Sequence, residues 1–481
     1  MSTRDLFALL PLLSIAVSAV VVMLGIAFKR NAGLAAGMTL AGLIAAFLSA
    51  WAAANVVPRQ VTSLLLVDRY ALFYIGLIVA SAAVVAVLAY QYFENHDDFE
   101  KHDGQREELY LLLLLATLGC AVLAASSHFV SLVLGLEVLS VSLYGMVAYL
   151  TDRRPALEAG IKYLILASAS AAFLLFGMAL IYAATGTMEF SKLREVSLSA
   201  SPLLLLSGIA LTLTGIGFKL GVVPFHLWAP DVYQGASPPV AAFVATTSKS
   251  AMVVLFLRYF YLSGALRSHA VFMVVATIAV LSMCAGNFLA LRQTNVKRIL
   301  AYSSIAHFGY ILVAFLAAST MAMGAVAFYL VAYTVTLLAA FGVVSILSSS
   351  EQDAADVEHY RGLFWRRPAI AGVFTIALLS LAGIPATMGF LGKFYILAAG
   401  ANAAAWPLII ILVVTSVAGL FYYLRIVVAL FADPPEHPAP LEVLPRGGVL
   451  VLAVLAMVLI WLGVYPSPLL DLIRTSLVGL N

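Results

Sequence analysis

Apolar runs of about 20 residues follow one another along the whole chain, with short polar stretches between them. An α-helix needs about 20 apolar residues to cross roughly 30 Å of hydrocarbon, so each run predicts one transmembrane helix. The pattern therefore predicts an all-α polytopic membrane protein with about fourteen spanning helices. We place them near residues 6–28, 33–53, 70–92, 109–126, 129–150, 157–184, 203–223, 240–262, 269–291, 298–317, 321–348, 369–399, 405–431 and 447–466.

The spacing of these helices suggests two related blocks of five, helices 4–8 and helices 9–13. An interrupted helix that carries a lysine, helix 7 or helix 12, is the fourth member of each block. Because five is odd, the second block would run through the membrane in the opposite direction, as in the inverted repeats of transporters. The predicted divisions are an N-terminal three-helix segment, two five-helix repeats and a C-terminal helix, at 1–108, 109–262, 269–431 and 432–481.

Two lysines lie inside predicted helices that glycine and proline interrupt. Lys219 lies in the run from Gly215 to Pro224, and Lys393 ends the run that begins at Gly383. An ammonium at bilayer depth costs roughly 2.5–3.5 kcal/mol on insertion scales, so it is rarely present without a function. Interrupted helices in corresponding positions of two halves are typical of ion sites in transporters. The pattern therefore favours a protein that moves charge across a membrane.

Glu137 is the only carboxylate that we place at the centre of a predicted helix. A buried carboxylate needs a cation nearby, and Lys219 is the natural candidate. The alternative is a structural ion pair that joins two helices, but buried ion pairs contribute little net stability. A role in charge transfer is the favoured interpretation.

Two further lysines lie inside predicted helices. Lys249 is some nine residues into helix 8 with Thr247 and Ser248 before it and Ser250 after it, and these hydroxyls suit a proton-exchanging lysine. Snorkelling to the surface is the alternative, and it is only partly possible at that depth. Lys162 is nearer a helix end, where snorkelling or an ion pair with Glu158 explains it equally well.

Two histidines are candidates for a proton relay, because imidazole titrates near physiological pH. His307 lies in a helix rich in hydroxyl groups, although it could simply hydrogen-bond a neighbouring helix. His226 follows helix 7 and is either a relay exit or a cap. The surrounding segment, 224–239, is polar and rich in proline, and is predicted to be an ordered turn rather than a helix. Arg425 is interpreted as an interfacial anchor.

Composition excludes several other functions. Hydrophobic residues make up 63% and charged residues 10%, against about 25% charged in soluble proteins, and the net charge of +3 includes no basic block for nucleic acid. The two cysteines, Cys120 and Cys284, are far apart and form no C-x-x-C motif, so zinc, iron–sulfur and disulfide sites fail on ligand count. No haem-ligating pair of histidines and no other redox centre is predicted.

The lysines and arginines of the predicted loops set the expected orientation. Thirteen follow odd-numbered helices, Lys297 among them, and eight lie on the opposite side, Arg258 among them. Because positive loops stay inside, both termini are predicted to lie outside. The first apolar segment has no small-residue cleavage site, which predicts a retained helix rather than a signal peptide.

Four segments together resemble the antiporter-like membrane subunits of respiratory complex I. They are Gly215–Ser250, the stretch around Glu137, residues 295–305 and the stretch from Gly389 to Lys393. The resemblance implies that Glu137 and Lys219 form an ion pair, that Lys249 continues the charge chain and that Lys393 ends it. It also matches Lys162 to a lysine found in one branch of the family, and His226 and His307 to positions that link half-channels.

The resemblance further implies proton translocation in a bacterial inner membrane without local redox chemistry. NADH, FMN, iron–sulfur clusters and quinone would bind to partner subunits, and none would bind here. The implied partners are other membrane-arm subunits, including a second antiporter-like subunit and small membrane subunits. Two alternatives remain open: a subunit of a multisubunit cation/proton antiporter, and a purely structural membrane spacer.

Overall fold

The computed structural model describes residues 2–94, 106–196, 201–348, 353–435 and 446–477. Across these residues the protein is a bundle of α-helices with one short antiparallel hairpin, which pairs Arg59–Gln60 with Leu66–Val67. The helices are α1 (Thr3–Phe28), α2 (Ala32–Ala53), α3 (Arg69–Glu94), α4 (Glu108–Ala125), α5 (Phe129–Val147), α6 (Arg154–Thr185), α7 (Phe190–Val196), α8 (Pro202–Leu220), α9 (Trp228–Gly235), α10 (Pro238–Phe243), α11 (Lys249–Ser263), α12 (His269–Leu291), α13 (Val296–Leu316), α14 (Thr320–Leu347), α15 (Leu363–Arg366), α16 (Pro368–Ala382), α17 (Met388–Asn402), α18 (Trp406–Phe431), α19 (Arg446–Val464) and α20 (Ser467–Leu477).

The predicted all-α membrane fold is confirmed. Thirteen helices of the described part are long and apolar enough to span a bilayer, with α10, α11 and the π-helical turn between them counted as one span. The remaining predicted span, helix 12, is present as the two halves α16 and α17. The short helices α7, α15 and α20 were not predicted. Four of the polar stretches that separate the predicted helices, 93–108, 185–202, 349–368 and 432–446, lie partly outside the described residues.

Burial divides the helices into a central group and a peripheral group. The apolar stretches of the span Pro238–Ser263 and of α13 are completely buried, and 89% of the apolar stretch of α14 is buried. By contrast, α2 and α18 are 22% and 28% buried, so they present broad apolar faces to the surroundings. Polar side chains on the central helices are therefore kept away from lipid.

The first interruption lies within the predicted run from Gly215 to Pro224, near its C-terminal end. Helix α8 continues through Gly215 and ends at Gly221, whose φ of 70° allows the chain to turn sharply. The segment 224–239 is also more helical than predicted, since α9 and the start of α10 lie in it. Its prolines are tolerated because Pro230 and Pro238 lie in first turns, where backbone N–H groups have no partner within the helix.

The second interruption agrees with the prediction. Helix α16 ends at Gly383, with a φ of 83°, and α17 begins at Met388. The side chain of Thr387 caps α17 by accepting a hydrogen bond from the backbone N–H of Phe390, at 3.4 Å.

The two blocks share a further detail. An isolated antiparallel bridge joins His128, before α5, to Glu189, after α6, and another joins Asn295, before α13, to Asp356, after α14. This correspondence is what related blocks would show. The inverted orientation of the repeats and the predicted division boundaries stay predictions.

Candidate functional site

Lys219 lies on the last turn of α8 and is 6% exposed. Its Nζ atom donates a hydrogen bond to Oγ of Ser140 on α5, at 2.6 Å. The rings of Tyr144 and Tyr163 lie nearby, with centroids 6.0 and 5.6 Å from Nζ. This ammonium is therefore held by a hydroxyl group and aromatic rings.

The predicted direct ion pair between Glu137 and Lys219 is wrong. Within the described residues, no carboxylate oxygen lies within the 4.0 Å limit of an ion pair to Lys219. Glu137 is one turn before Ser140 on α5 and is half-buried, beside the exposed side chains of Leu134 and Val138. Because its face of the helix points outward, its carboxylate acts on Lys219 through space rather than by contact.

Lys249 is fully buried at the start of α11, directly after a π-helical turn at Val244–Ser248. Such turns are frequent at functional sites because they re-aim the side chains that follow. The Nζ atom donates to Oγ of Ser304 on α13, at 2.8 Å, and the hydroxyl group of Tyr333 donates to the same oxygen, at 2.7 Å. The ammonium group of Lys249 therefore contacts two linked hydroxyl groups, one on each of the central helices α13 and α14.

Aromatic rings connect the first two lysines. The ring of Tyr163, next to Lys219, packs against Trp228 with centroids 4.9 Å apart. The Nζ atom of Lys249 lies 5.8 Å from the centroid of the Trp228 ring. The two ammonium groups thus flank one aromatic pair, and no charged side chain takes part in this contact.

Lys393 lies on α17, 8% exposed, and its side chain folds back over the second interruption. Its Nζ atom donates to the carbonyl oxygen of Ala382, at 2.9 Å, and to Oγ of Ser416 on α18, at 2.8 Å. A cavity of about 270 Å³ borders Gly383, Lys393 and Ser416. Lys393 and Ser416 are the polar side chains of its lining, and most of the other lining residues are apolar.

His307 lies between the second and third lysines, on α13, and is 4% exposed. Its two ring nitrogens contact hydroxyl groups on different helices: Nδ1 lies 2.6 Å from Oη of Tyr329, and Nε2 lies 3.1 Å from Oη of Tyr423. The Tyr423 hydroxyl also contacts Ser303. The imidazole therefore connects two hydroxyl groups, which is the arrangement that a proton relay needs.

Tyr310 fills the space between His307 and Lys393. Its ring centroid is 5.4 Å from the His307 ring and 5.4 Å from Nζ of Lys393. Asn287 on α12 fixes this ring by donating to the Tyr310 hydroxyl at 2.9 Å, while its own Oδ1 accepts from Tyr422 at 3.0 Å. A continuous set of contacts thus runs from the first lysine to the last.

Lys162 lies apart from this row. It is on the exposed face of α6, where its ammonium group contacts Glu158 at 2.7 Å and Asp231 of α9 at 2.9 Å. The sequence suggested the first of these partners but not the second. Asp231 also accepts from Arg298 at 2.8 Å, so Lys162 belongs to a half-exposed ion network.

Two cations that the sequence placed in loops are buried, and each is paired with a carboxylate. Lys297, on the first turn of α13, is 1% exposed and contacts Asp353 at 2.6 Å. Arg258 lies within α11 and contacts Asp68, just before α3, at 2.7 Å. Lys297 was placed in a loop because α13 begins two residues before the predicted run 298–317, whereas Arg258 already lies inside the predicted run 240–262 and its loop assignment was wrong for that reason.

His226 is 8% exposed in the turn between α8 and α9, and its Nδ1 atom has no hydrogen-bond partner among the described residues. Its carbonyl oxygen accepts from the backbone N–H of Ala229 and so helps to start α9. This contact favours the cap over the relay, and the relay role stays a prediction. In the described ranges no three His, Cys, Asp or Glu side chains are grouped closely enough to hold a metal ion.

Sequence reasoning missed the serines that contact the three lysines and the asparagine that fixes the ring of Tyr310. The hydroxyl groups of Ser140, Ser304 and Ser416, together with the amide of Asn287, are small polar groups in apolar helices. Helical spacing could have indicated two of them, since Ser140 is three residues after Glu137 and Ser304 is three residues before His307.

The chain is similar to known membrane subunits over almost its whole length. A family profile described as "NADH:quinone oxidoreductase/Mrp antiporter, TM" matches residues 126–419. A NADH-quinone oxidoreductase subunit N from Ectopseudomonas mendocina (strain ymp) is 47% identical over 480 residues, which cover 99% of this chain and 97% of that one. The chain belongs to the NADH-quinone oxidoreductase subunit N family.

Chains of solved membrane complexes have the same fold over almost the whole length. A chain of respiratory complex I from Thermus thermophilus with bound aureothin has a TM-score of 0.82 at 32% identity, with coverage of 96% of this chain and 98% of that one. A chain of the archaeal membrane-bound sulfane sulfur reductase has a TM-score of 0.83 at 25% identity, covering 100% and 98%. The Mrp complex from Dietzia sp. DQ12-45-1b gives 0.87 at 21% identity, covering 100% and 98%, and so shares the fold.

Proposed function

We propose that this protein carries protons as the N-type membrane-arm subunit of a proton-translocating NADH–quinone oxidoreductase, with no redox chemistry of its own. The observation that carries the proposal is the row of buried lysines Lys219, Lys249 and Lys393, joined by hydroxyl groups, aromatic rings and His307. A buried lysine that exchanges a proton serves as an acid and a base. A row of them can pass charge along the middle of a membrane.

In the proposed sequence of events, quinone reduction in another subunit changes the electric field at Glu137. The altered field changes the proton affinity of Lys219, and the change passes to Lys249 and on to Lys393 through electrostatic coupling. Tyr333 and His307 contribute the hydroxyl and imidazole groups between the last two lysines. The proton would leave Lys393 on the side where Ser416 and the Ala382 carbonyl group lie.

The half-exposed carboxylate of Glu137 supports an assembly in which another membrane subunit covers its face. A charged group facing lipid would be costly, so the exposed stripe of α5 that includes Leu134 and Val138 is expected to lie against protein. In our proposal NADH, FMN, iron–sulfur clusters and quinone bind to partner subunits. The complex lies in a bacterial inner membrane, with both termini of this subunit on the outer side.

A test compares Lys219→Ala with Lys192→Ala in the assembled complex. Lys192 is a matched control because it is an exposed lysine on α7 that pairs with Glu189. NADH-driven acidification of inverted membrane vesicles should fall strongly for Lys219→Ala and stay at the wild-type level for Lys192→Ala. Full proton pumping by an assembled Lys219→Ala complex would support the structural spacer and refute a role in translocation.

The second candidate function is a cation/proton antiporter, because the chain shares its fold with an Mrp complex. Acidification of the same vesicles distinguishes the two functions. A proton pump driven by quinone reduction should acidify the vesicles equally with and without sodium or potassium ions. Acidification that requires one of these cations and proceeds without NADH would favour the antiporter.

A further inference from the structure

The three lysines of the row have the same kind of partner. Each ammonium group donates to one serine hydroxyl on a neighbouring helix: Lys219 to Ser140 at 2.6 Å, Lys249 to Ser304 at 2.8 Å, and Lys393 to Ser416 at 2.8 Å. In the part of the chain that the structure describes, none of the three forms an ion pair with a carboxylate.

A buried lysine outside the row shows that burial alone does not dictate a hydroxyl partner. Lys297 is as buried as the row lysines, yet it contacts the carboxylate of Asp353 at 2.6 Å. An ionised carboxylate only accepts hydrogen bonds and strongly favours the charged lysine. Such a pair fixes one protonation state and is suited to joining helices.

A serine hydroxyl behaves differently because it carries both a donor and acceptor lone pairs. It accepts a hydrogen bond from an ammonium group, and after rotation about its C–O bond it can donate to the lone pair of a neutral amine. A buried amine with such a partner therefore keeps a hydrogen bond in both protonation states. This avoids the cost of leaving a buried polar group unpaired when the proton leaves.

The surroundings of the serines allow this rotation. Ser140 donates to the carbonyl oxygen of Leu136 while it accepts from Lys219, so its proton has a second acceptor. Ser304 accepts a hydrogen bond from the hydroxyl group of Tyr333. That hydroxyl group has an alternative acceptor in the carbonyl oxygen of Ala245, at 3.1 Å. The hydroxyl groups around Lys219 and Lys249 can therefore change direction without a change of side-chain position.

We propose that Ser140, Ser304 and Ser416 are positioning residues of the proton path, each holding its lysine by a hydrogen bond in both the charged and the neutral form. The inference rests on the proposed function and extends it to three side chains that do not themselves carry the charge. It requires a hydroxyl group at each position and assigns no role to the remainder of the side chain.

The first experiment compares Ser140→Ala with Ser142→Ala. Both serines are buried on α5, but Ser142 donates only to the carbonyl oxygen of Val138 in its own helix, at 2.7 Å. Assembly is checked by NADH oxidation with an artificial electron acceptor, and pumping is measured as protons moved per NADH oxidised. Ser140→Ala should lower pumping by about tenfold, the factor expected for losing a hydrogen bond to a charged group, and Ser142→Ala should leave it unchanged.

The second experiment tests whether the hydroxyl group is what matters. Ser416 is half-buried beside the cavity, so threonine fits there without crowding. Ser416→Ala should lower pumping, and Ser416→Thr should restore most of it because the hydroxyl group is kept. If Ser140→Ala prevents assembly, this pair of variants still decides the question.

Equal pumping by the Ser140→Ala and Ser142→Ala complexes would overturn the inference, as would a Ser416→Thr complex that pumps no better than Ser416→Ala. The two proposals can fail separately. If Lys219→Ala abolishes pumping while both alanine variants of the serines pump normally, the serine inference fails and the proposed function stands. If Lys219→Ala pumps normally, the proposed function fails first.

Discussion

The two interruptions place an ammonium group against a glycine, but the lysine comes from different parts of the chain. At the first, the lysine is Lys249 of the neighbouring span, and a Cβ atom on Gly221 would lie 3.2 Å from its Nζ. At the second, it is Lys393 of the same interrupted helix, and a Cβ atom on Gly383 would lie 2.9 Å from its Cδ and 3.2 Å from its Nζ. A side chain at either glycine would therefore crowd a lysine of the row.

The backbone carbonyl groups at the two interruptions accept hydrogen bonds from different kinds of donor. Lys393 binds the carbonyl oxygen of Ala382, which the end of α16 leaves free. At the first interruption the indole N–H of Trp228 donates to the carbonyl oxygen of Phe218, at 2.8 Å. Lys249 is therefore bonded to a single hydroxyl group, whereas Lys393 also holds the backbone of its own helix. Loss of Lys393 should have the wider consequences.

The helices that follow the two interruptions, α9 and α17, also differ in the charge of one side chain. Asp231 lies ten residues after Gly221 (231 − 221), and Lys393 lies ten residues after Gly383 (393 − 383). In α9 this position carries a carboxylate paired with Lys162 and Arg298, while in α17 it carries a lysine of the row. One half of the molecule therefore has an ion-paired carboxylate that joins helices at this position, and the other half has a buried lysine bonded to a hydroxyl group.

The largest effect is expected from Lys393→Ala, which removes the last ammonium group of the row and leaves the Ala382 carbonyl without its donor. NADH-driven pumping in vesicles should be abolished. Lys393→Arg should restore little of it, because a guanidinium group does not release its proton at accessible pH.

Arg425→Ala is the control for these two variants. Arg425 is an exposed residue of α18 that donates to backbone carbonyls at the end of α12, and its loss should reduce pumping only slightly. Wild-type pumping by Lys393→Arg would remove proton exchange from the role of this lysine.

The next effect is expected at the first interruption, from Gly221→Ala. Gly186 is the matched control because its φ is also 70°, yet a Cβ atom there would meet nothing within 4 Å. Both alanines carry a left-handed strain of roughly 1–2 kcal/mol, but only the one at position 221 pushes against the Lys249 ammonium group. Gly221→Ala should therefore lower protons moved per NADH, and Gly186→Ala should lower only the melting temperature. Identical coupling in the two variants would contradict the importance of this contact.

A smaller effect is expected between the two interruptions, at the hydroxyl groups around His307. Tyr423→Phe removes the hydroxyl contacts to Nε2 of His307 and to Ser303, whereas Tyr422→Phe removes the hydroxyl bond to Asn287 and keeps the direct contacts of His307. The first variant should lower pumping severalfold and the second only slightly, because Tyr310 keeps its bond from Asn287. The reverse order would point to the aromatic packing, rather than the imidazole, as the feature that matters.

Much of the fold was predictable because a single property, apolar length, determines where a helix can cross a bilayer. The interruption at Gly383 was predictable for a similar reason, since glycine and proline mark it locally. The end of α8 was not, because Gly215 and Gly217 are equally suggestive glycines and only tertiary contacts select Gly221.

The lysines of the site were predictable from the cost of burying charge, but their partners were not. By charge, a carboxylate such as Glu137 is the natural partner of Lys219, and yet Ser140, one turn later, makes the contact. Which of two residues three positions apart faces a neighbour depends on the rotation of α5 about its axis. Because membrane helices are only weakly amphipathic, the sequence gives little indication of that rotation.

The smallest effect on pumping is expected at Asp353, whose partner Lys297 is a buried lysine outside the row. Burial alone would raise the pKa of Asp353, but the Lys297 ammonium group, with the hydroxyl of Tyr92 and the guanidinium of Arg153, outweighs it and holds the pKa below its ordinary value. A carboxyl group with a lowered pKa in the folded protein contributes stability at neutral pH, and that stability is lost as the pH falls.

Asp353→Asn should therefore destabilise the complex by roughly 3 kcal/mol at pH 7, while the protons moved per NADH stay unchanged. The difference in melting temperature between the variant and the wild type should narrow below about pH 5, since only the wild type has a carboxylate to protonate. Asp471→Asn, in an exposed pair with Arg474, should change neither stability nor coupling. A loss of coupling in a fully assembled Asp353→Asn complex would show that the carboxylate-paired lysine also takes part in transfer, and the distinction between its pair and the lysine–serine pairs would no longer hold.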